Sequence, residues 1–141
     1  MKVAIGCDHG GIDLKETVKS VLHDLGHEVD DQGCNSHESV DYPDFANAVT
    51  ALVKENRCEC GILICGTGIG MSMAANRVSG IRAALCNEVF SAKMSREHND
   101  ANILCLGARV IGPGVAAEIV KTWMTTDFAG GRHQRRIDMF K

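Results

Sequence analysis

A chain of 141 residues has the length of one domain. A hydrophobic share of 45% supports a real core, and with only 4% aromatic residues that core is built from Ile, Leu, Val, Ala and Met. The net charge of −3 gives no basic field for nucleic acid, and no apolar run reaches the roughly 18 residues of a membrane span.

Residues 2–7, Lys-Val-Ala-Ile-Gly-Cys, read as a buried strand that starts almost at Met1, with no signal-peptide layout; the cytoplasm is the expected compartment. The turn Asp8-His9-Gly10-Gly11 follows. Leu14, Val18, Val21, Leu22 and Leu25 recur at helical spacing, and Gly26 is placed to end that helix. Glu28 to Asp31 is a short second strand. A polar loop leads to Asp41-Tyr42-Pro43, which opens a second helix whose apolar face is Phe45, Val49, Leu52 and Val53.

The run from Cys60 to Asn76 organises the chain. An apolar strand ends at Cys65, passes through Gly66-Thr67-Gly68-Ile69-Gly70, and enters a small-residue helix. Such a turn gathers backbone N–H groups, which attract an anion and lower the pKa of a neighbouring thiol. A fourth strand is expected over Gly80–Cys86, a helix from Glu88 to about Arg96 capped by Asn87, and a fifth strand over Ile103–Leu106. Pro113 starts a helix carrying Val115, Ile119 and Trp123. A last helix near 132–140 follows Gly130-Gly131, with Ile137 and Phe140 as its anchors. Five strand–helix repeats with short connections predict a parallel sheet with helices on both faces, strands one and three being neighbours at a central crevice. No internal repeat or low-complexity linker interrupts residues 1–141.

Ligands of such folds bind beyond the C-terminal ends of the strands. Asp8 and His9, Cys65 to Gly70, the His98-Asn99-Asp100 segment and Arg109 are all expected on that one rim. Arg132 and Arg136 are four apart, on one face of the last helix, and paired guanidinium groups suit a phosphate dianion. The seven cysteines match neither a disulfide framework nor paired zinc clips, so free thiols are expected, with Cys7, Cys86 and Cys105 inert in buried strands. Cys58-x-Cys60 alone makes a poor metal site. Met71, Met73, Met94 and Met124 read as core filler, and His133 has no evident partner.

The glycine turn is not a dinucleotide fingerprint: its third glycine is Gly70, position 71 is Met, and it follows the third strand. It lacks the Lys-Ser or Lys-Thr of a Walker loop. A hydrolase would pair Cys65 with His98 but lacks a clear third group. Proton transfer fits better. A thiolate can remove a proton next to a carbonyl, amides can hold the enediolate oxygen, a histidine can open a cyclic sugar, and arginines can hold a remote phosphate.

Gly6-Cys7-Asp8-His9-Gly10-Gly11, Asp41-Tyr42-Pro43, Cys65-Gly66-Thr67-Gly68-Ile69-Gly70, Ser95 through Asn102, and Gly130-Gly131-Arg132-His133 closely resemble the ribose-5-phosphate isomerase B family, which includes allose- and galactose-6-phosphate isomerases. The resemblance spans essentially the whole chain. It implies a three-layer α/β/α Rossmann-like sandwich with a five-stranded parallel sheet, and an aldose–ketose isomerase that needs no metal or organic cofactor. By resemblance, Cys65 is the base, His98 opens the furanose, Asp8 assists at the hydroxyls, and Thr67 with Gly66, Gly68, Ile69 and Gly70 cradles the enediolate. His9, Arg132 and Arg136 would hold the phosphate, with Arg109 near it, and Asn99 would contact the sugar. The resemblance also implies a homodimer, or a tetramer, with His98, Asn99 and Arg109 acting across the interface. A 6-phosphohexose isomerase and a non-catalytic phosphometabolite-binding module are the alternatives.

Overall fold

The structure, a computed structural model, describes residues 1–141. Five strands, β1 (Lys2–Cys7), β2 (Glu28–Asp31), β3 (Cys60–Cys65), β4 (Ala83–Leu85) and β5 (Ile103–Gly107), form one all-parallel sheet in the order β2-β1-β3-β5-β4. The helices are α1 (Ile12–Asp24), α2 (Tyr42–Lys54), α3 (Ile69–Ala75), α4 (Val89–Glu97), α5 (Pro113–Thr125) and α6 (Arg132–Asp138). The result is a three-layer α/β/α Rossmann-like sandwich. One apolar core lies under α1 and α5, the other under α2 and α3.

β3 and β5 are buried along their whole length and β1 from Val3 onward. Strands covered on both faces read as continuous apolar runs rather than as alternation. β4 is shorter than the expected Gly80–Cys86, because Gly80–Arg82 is engaged in loop bonds: Asn102 Oδ1 accepts from the Arg82 N–H at 2.8 Å and its Nδ2 donates to the Gly80 carbonyl at 2.9 Å. Glu88, not Asn87, caps α4; its carboxylate accepts the Ser91 N–H at 2.8 Å.

α2 sits close to the sheet because β3 lacks a side chain where the two meet. A Cβ at Gly61 would lie 2.5 Å from Val49 Cγ1 and 2.8 Å from Ile103 Cδ1. On α5 the buried face is Ala116, Ile119, Val120 and Trp123; Val115 points to solvent, 46% exposed. Met71 is core, but Met73 is 66% exposed on the outer face of α3. Ile137 anchors α6 while Phe140 stays largely exposed.

Lys15, on the buried face of α1, is fully buried. Its ammonium donates to Asp31 Oδ1 at 3.0 Å, the Cys34 carbonyl at 2.8 Å and Asn35 Oδ1 at 3.1 Å. A cation is retained in such a place only when paired and hydrogen-bonded. Asp31 also accepts from Lys19 Nζ at 2.9 Å and the Gly33 N–H at 2.9 Å. Burial alone would raise the Asp31 pKa; these donors outweigh it and hold the carboxyl below its ordinary value. No helix is long and apolar enough to cross a membrane.

Filling the gap under α2 is costly. Gly61→Ala lowers unfolding stability by about 1–3 kcal/mol, the usual scale of overpacking. In urea melts, Gly61→Ala combined with Val49→Ala loses less than the two single changes summed, because they share one contact.

Candidate active site

β1 and β3 are adjacent although helices and a strand separate them in sequence, so the sheet order reverses between them. At such a switch point the loops leaving the two strands part and open a crevice. Asp8 and His9 leave β1 there, and Cys65 ends β3. Asp8 is nearly buried and folds its carboxylate back onto the Gly10 N–H at 2.9 Å. His9 is half-buried, and its Nδ1 accepts the Val40 N–H at 3.2 Å.

The Cys65 side chain faces the glycine turn. Its Sγ accepts the Gly68 N–H at 3.2 Å, so a backbone dipole points at the sulfur. Gly68 makes this possible through φ 78°, ψ −12°, a left-handed conformation that costs glycine nothing. Thr67 Oγ1 accepts the Ile69 N–H at 3.2 Å. Two amides expected to be free in an anion cradle are thus engaged within the turn, and α3, with seven residues, adds little dipole. β5 closes the site: the Ala108 and Arg109 N–H groups donate to the Cys65 and Gly66 carbonyls, each at 2.9 Å. The Arg109 side chain lies over both turns, its Nη1 3.6 Å from where a Cβ of Gly66 would be and its Nη2 3.8 Å from that of Gly10. Arg109 thus lies on its own chain's Cys65 rim. Tyr42, which sequence reading left without a role, lies against Gly70, where a Cβ would come within 2.6 Å of its ring.

His98, Asn99 and Asp100 are not on this rim. α4 leaves the C-terminal end of β4 and returns to the start of β5, so its last residues lie at the opposite end of the sheet. There the Asn99 carbonyl accepts from Arg82 Nε at 3.0 Å, just before β4, and the Asn102 carbonyl accepts the Gly61 N–H at 3.0 Å, at the start of β3. Cys65 is level with Gly107 at the far end of β5. Four strand residues, about 13 Å at roughly 3.3 Å each, separate the two levels. The expectation of a single rim is overturned: helices of a parallel sheet run back, so a helix C-terminus and a strand C-terminus lie on opposite sides.

α6 joins this second rim. The Ala129 N–H donates to the Glu97 carbonyl at 2.9 Å, and the His133 ring stacks on His98 with centroids 4.2 Å apart and planes 11° from parallel. His133 was not evident from sequence because its partner is 35 positions away and on another element. Arg132 and Arg136 are exposed on the same short helix. The chain thus divides its polar groups into two half-sites. One holds a thiol, a carboxylate, His9 and Arg109; the other holds two stacked imidazoles and two arginines. None of the recesses enclosed by a single chain is lined by Cys65 or His98.

All seven cysteines are free. Burial pushes Cys7 up to about 12, Cys86 to about 11 and Cys60 to about 12, and raises Cys105 further, as inert core thiols require. No cluster of three His, Cys, Asp or Glu side chains is arranged to hold a metal ion.

Fold and site together define a doubly wound α/β protein with a thiol at its switch point and an arginine-bearing half-site opposite. The family model described as Ribose/Galactose Isomerase matches residues 3–140, and the chain belongs to that family of sugar-phosphate isomerases. It is 54% identical to a solved structure of ribose-5-phosphate isomerase B from Clostridium thermocellum, with a TM-score of 0.97 over 99% of this chain and 94% of that one. It is 47% identical over 137 residues to ribose-5-phosphate isomerase B of Escherichia coli, covering 97% of this chain and 92% of the relative. It is 42% identical over 139 residues to a D-erythrulose-4-phosphate isomerase of Pectobacterium atrosepticum, covering 98% and 91%.

The His133 ring resists protonation. Partial desolvation, then repulsion from His98, Arg132 and Arg136, holds the His133 pKa below that of an ordinary histidine. As pH falls, the unfolded chain takes up this proton first, so the stability tied to His133 declines through the ordinary histidine range. Titration of the His133 ring by NMR shows a low midpoint, and Arg136→Gln moves it upward.

Proposed function

We propose that the chain interconverts ribose 5-phosphate and ribulose 5-phosphate through a cis-enediolate, in an active site shared by two copies. The observation that carries this reading is the position of the Cys65 sulfur: at the β1/β3 switch point and under the Gly68 N–H. The Cys65 thiolate takes the proton from C2 of the open-chain aldose and becomes a thiol. The C2 electron pair forms the C1–C2 double bond, and the carbonyl electrons move onto O1 as an enediolate. Donors of the turn other than the engaged Gly68 and Ile69 amides, with Arg109 at the rim, stabilise that charge. The thiol returns its proton to C1, and the O2 proton passes to O1, which leaves the ketose.

Ring opening and phosphate binding fall to the second half-site. His98 gives a proton to the furanose ring oxygen while the C1 hydroxyl loses its own, with Asp8 assisting. Asn99 contacts the sugar, and His9, Arg132 and Arg136 hold the phosphate. Since Cys65 and His98 lie at opposite ends of the sheet in one chain, these roles need a partner. Large exposed apolar side chains favour one. Ile69, Met73, Val89, Phe90 and Val110 stand around the Cys65 rim, 41–71% exposed, and Met139 and Phe140 follow α6. Soluble monomers seldom leave so much apolar surface together. A two-fold pair laying the first set against the second would complete two identical sites.

The Pectobacterium relative's name favours a second reading in which the same chemistry acts on a different sugar phosphate. Side-by-side turnover on ribose 5-phosphate, allose 6-phosphate and erythrulose 4-phosphate decides it: ribose 5-phosphate is expected to give the highest kcat/KM. A protein that binds these sugars but turns over none is a binding module.

Two substitutions test the roles. Cys65→Ala lowers kcat for isomerisation by about 10²–10⁴-fold, the scale of a lost general base, and leaves binding of an open-chain sugar phosphate nearly intact. His98→Asn harms cyclic substrate more than open-chain substrate. Mixed in equal amounts, allowed to exchange subunits and assayed on cyclic substrate, the two impaired variants regain about a quarter of wild-type activity, since random pairing gives each mixed dimer one intact site. No recovery after proven exchange would rule out the shared site.

A further inference from the structure

We propose that His9 is held in the neutral tautomer with its proton on Nε2, and that buried Lys15 is the positioning residue for this state. The geometry is local and direct. The Val40 N–H donates to His9 Nδ1 at 3.2 Å. A ring nitrogen that accepts a hydrogen bond does so through its lone pair and carries no proton, so the proton sits on the other nitrogen. Nε2–H then becomes a donor of fixed direction on the Cys65 rim, while Arg109 supplies the positive charge there.

Val40 can act only if the segment after β2 stays in place, and that segment is secured at its two ends. At one end the Lys15 ammonium, with no solvent exposure, gathers Asp31 Oδ1, the Cys34 carbonyl and Asn35 Oδ1 within 3.1 Å. At the other the Val40 side chain packs on the core under α1 and α5. Ser36 to Ser39 between them are exposed, with one internal bond from the Glu38 N–H to Ser36 Oγ and a 4.0 Å approach of His37 to Asp13. A buried cation thus sets the position of a backbone donor, and the donor sets the tautomer. Lys15→Met would fill the space but strip Asp31, the Cys34 carbonyl and Asn35 of the donor they share, so the segment would lose its anchor.

The use of Nε2–H as a phosphate donor rests on the proposed function; the tautomer does not. Two-bond ¹H–¹⁵N correlation spectra of histidine-labelled protein near neutral pH read it without any variant. The expected result is an unprotonated His9 Nδ1 and a fully protonated Nε2. In Lys15→Met a fraction of Nδ1–H emerges, and exchange of the Val40 amide quickens about tenfold as local opening becomes easier. Val40→Pro removes the donor and leaves Lys15 in place; it gives the same mixed tautomers and raises KM several-fold with little change in kcat. Should Lys15→Met fail to fold, the wild-type spectrum and Val40→Pro still decide. A proton on Nδ1 in the wild type, or the wild-type tautomer retained in both variants, overturns the proposal. Inorganic phosphate should shift the Nε2 resonance of the wild type; an unmoved resonance removes the phosphate role of His9 and leaves the tautomer result standing.

Discussion

The parallel register of β1, β3 and β5 is the constraint on which the structure depends. Once those strands run the same way, every strand delivers its last residue to one rim and every returning helix delivers its last residue to the other. Cys65, Asp8 and Arg109 come together for the first reason. His98, His133 and the α6 arginines come together for the second. The separation of thiol and imidazole is not an accident of loops that another rotamer could repair; it is as long as the sheet.

A thiol in such a fold has two available environments, and the chain uses both. Cys7, Cys60, Cys86 and Cys105 are held protonated by burial and act as small apolar residues. Cys65 is also largely buried but meets an amide N–H rather than aliphatic neighbours alone. One left-handed glycine makes that difference. Position along the strand, not exposure, sets the Cys65 sulfur apart from those that only pack.

The core of the fold is legible in sequence because its signals are local. Val3 to Cys7 and Cys60 to Cys65 are unbroken apolar runs, Leu14, Val18, Val21 and Leu22 recur at helical spacing, and Pro43 and Pro113 mark helix starts. The side chains of the candidate site come from the family resemblance, not from local signals. Rim assignment failed because chain order was read as spatial order: His98 follows a helix, and direction reverses along a helix. Lys15 escaped notice because a lysine on an apolar face carries no sign of being buried; its partners lie in another loop. The His98–His133 stack and the close approach of Tyr42 to Gly70 are likewise tertiary facts. Met73 was misjudged since apolar residues are also found outside.

α6 is attached to the body by modest means: Ile137 in the core, one backbone bond to Glu97 and the imidazole stack. It nonetheless bears two exposed arginines, while the thiol and its supporting turn belong to the central strands. On the proposed function, reaction and recognition would be carried by separate pieces of polypeptide, with Gly130 and Gly131 just before the second. The terminal piece could then be lengthened, tilted or recharged without disturbing the pleated scaffold that carries Cys65.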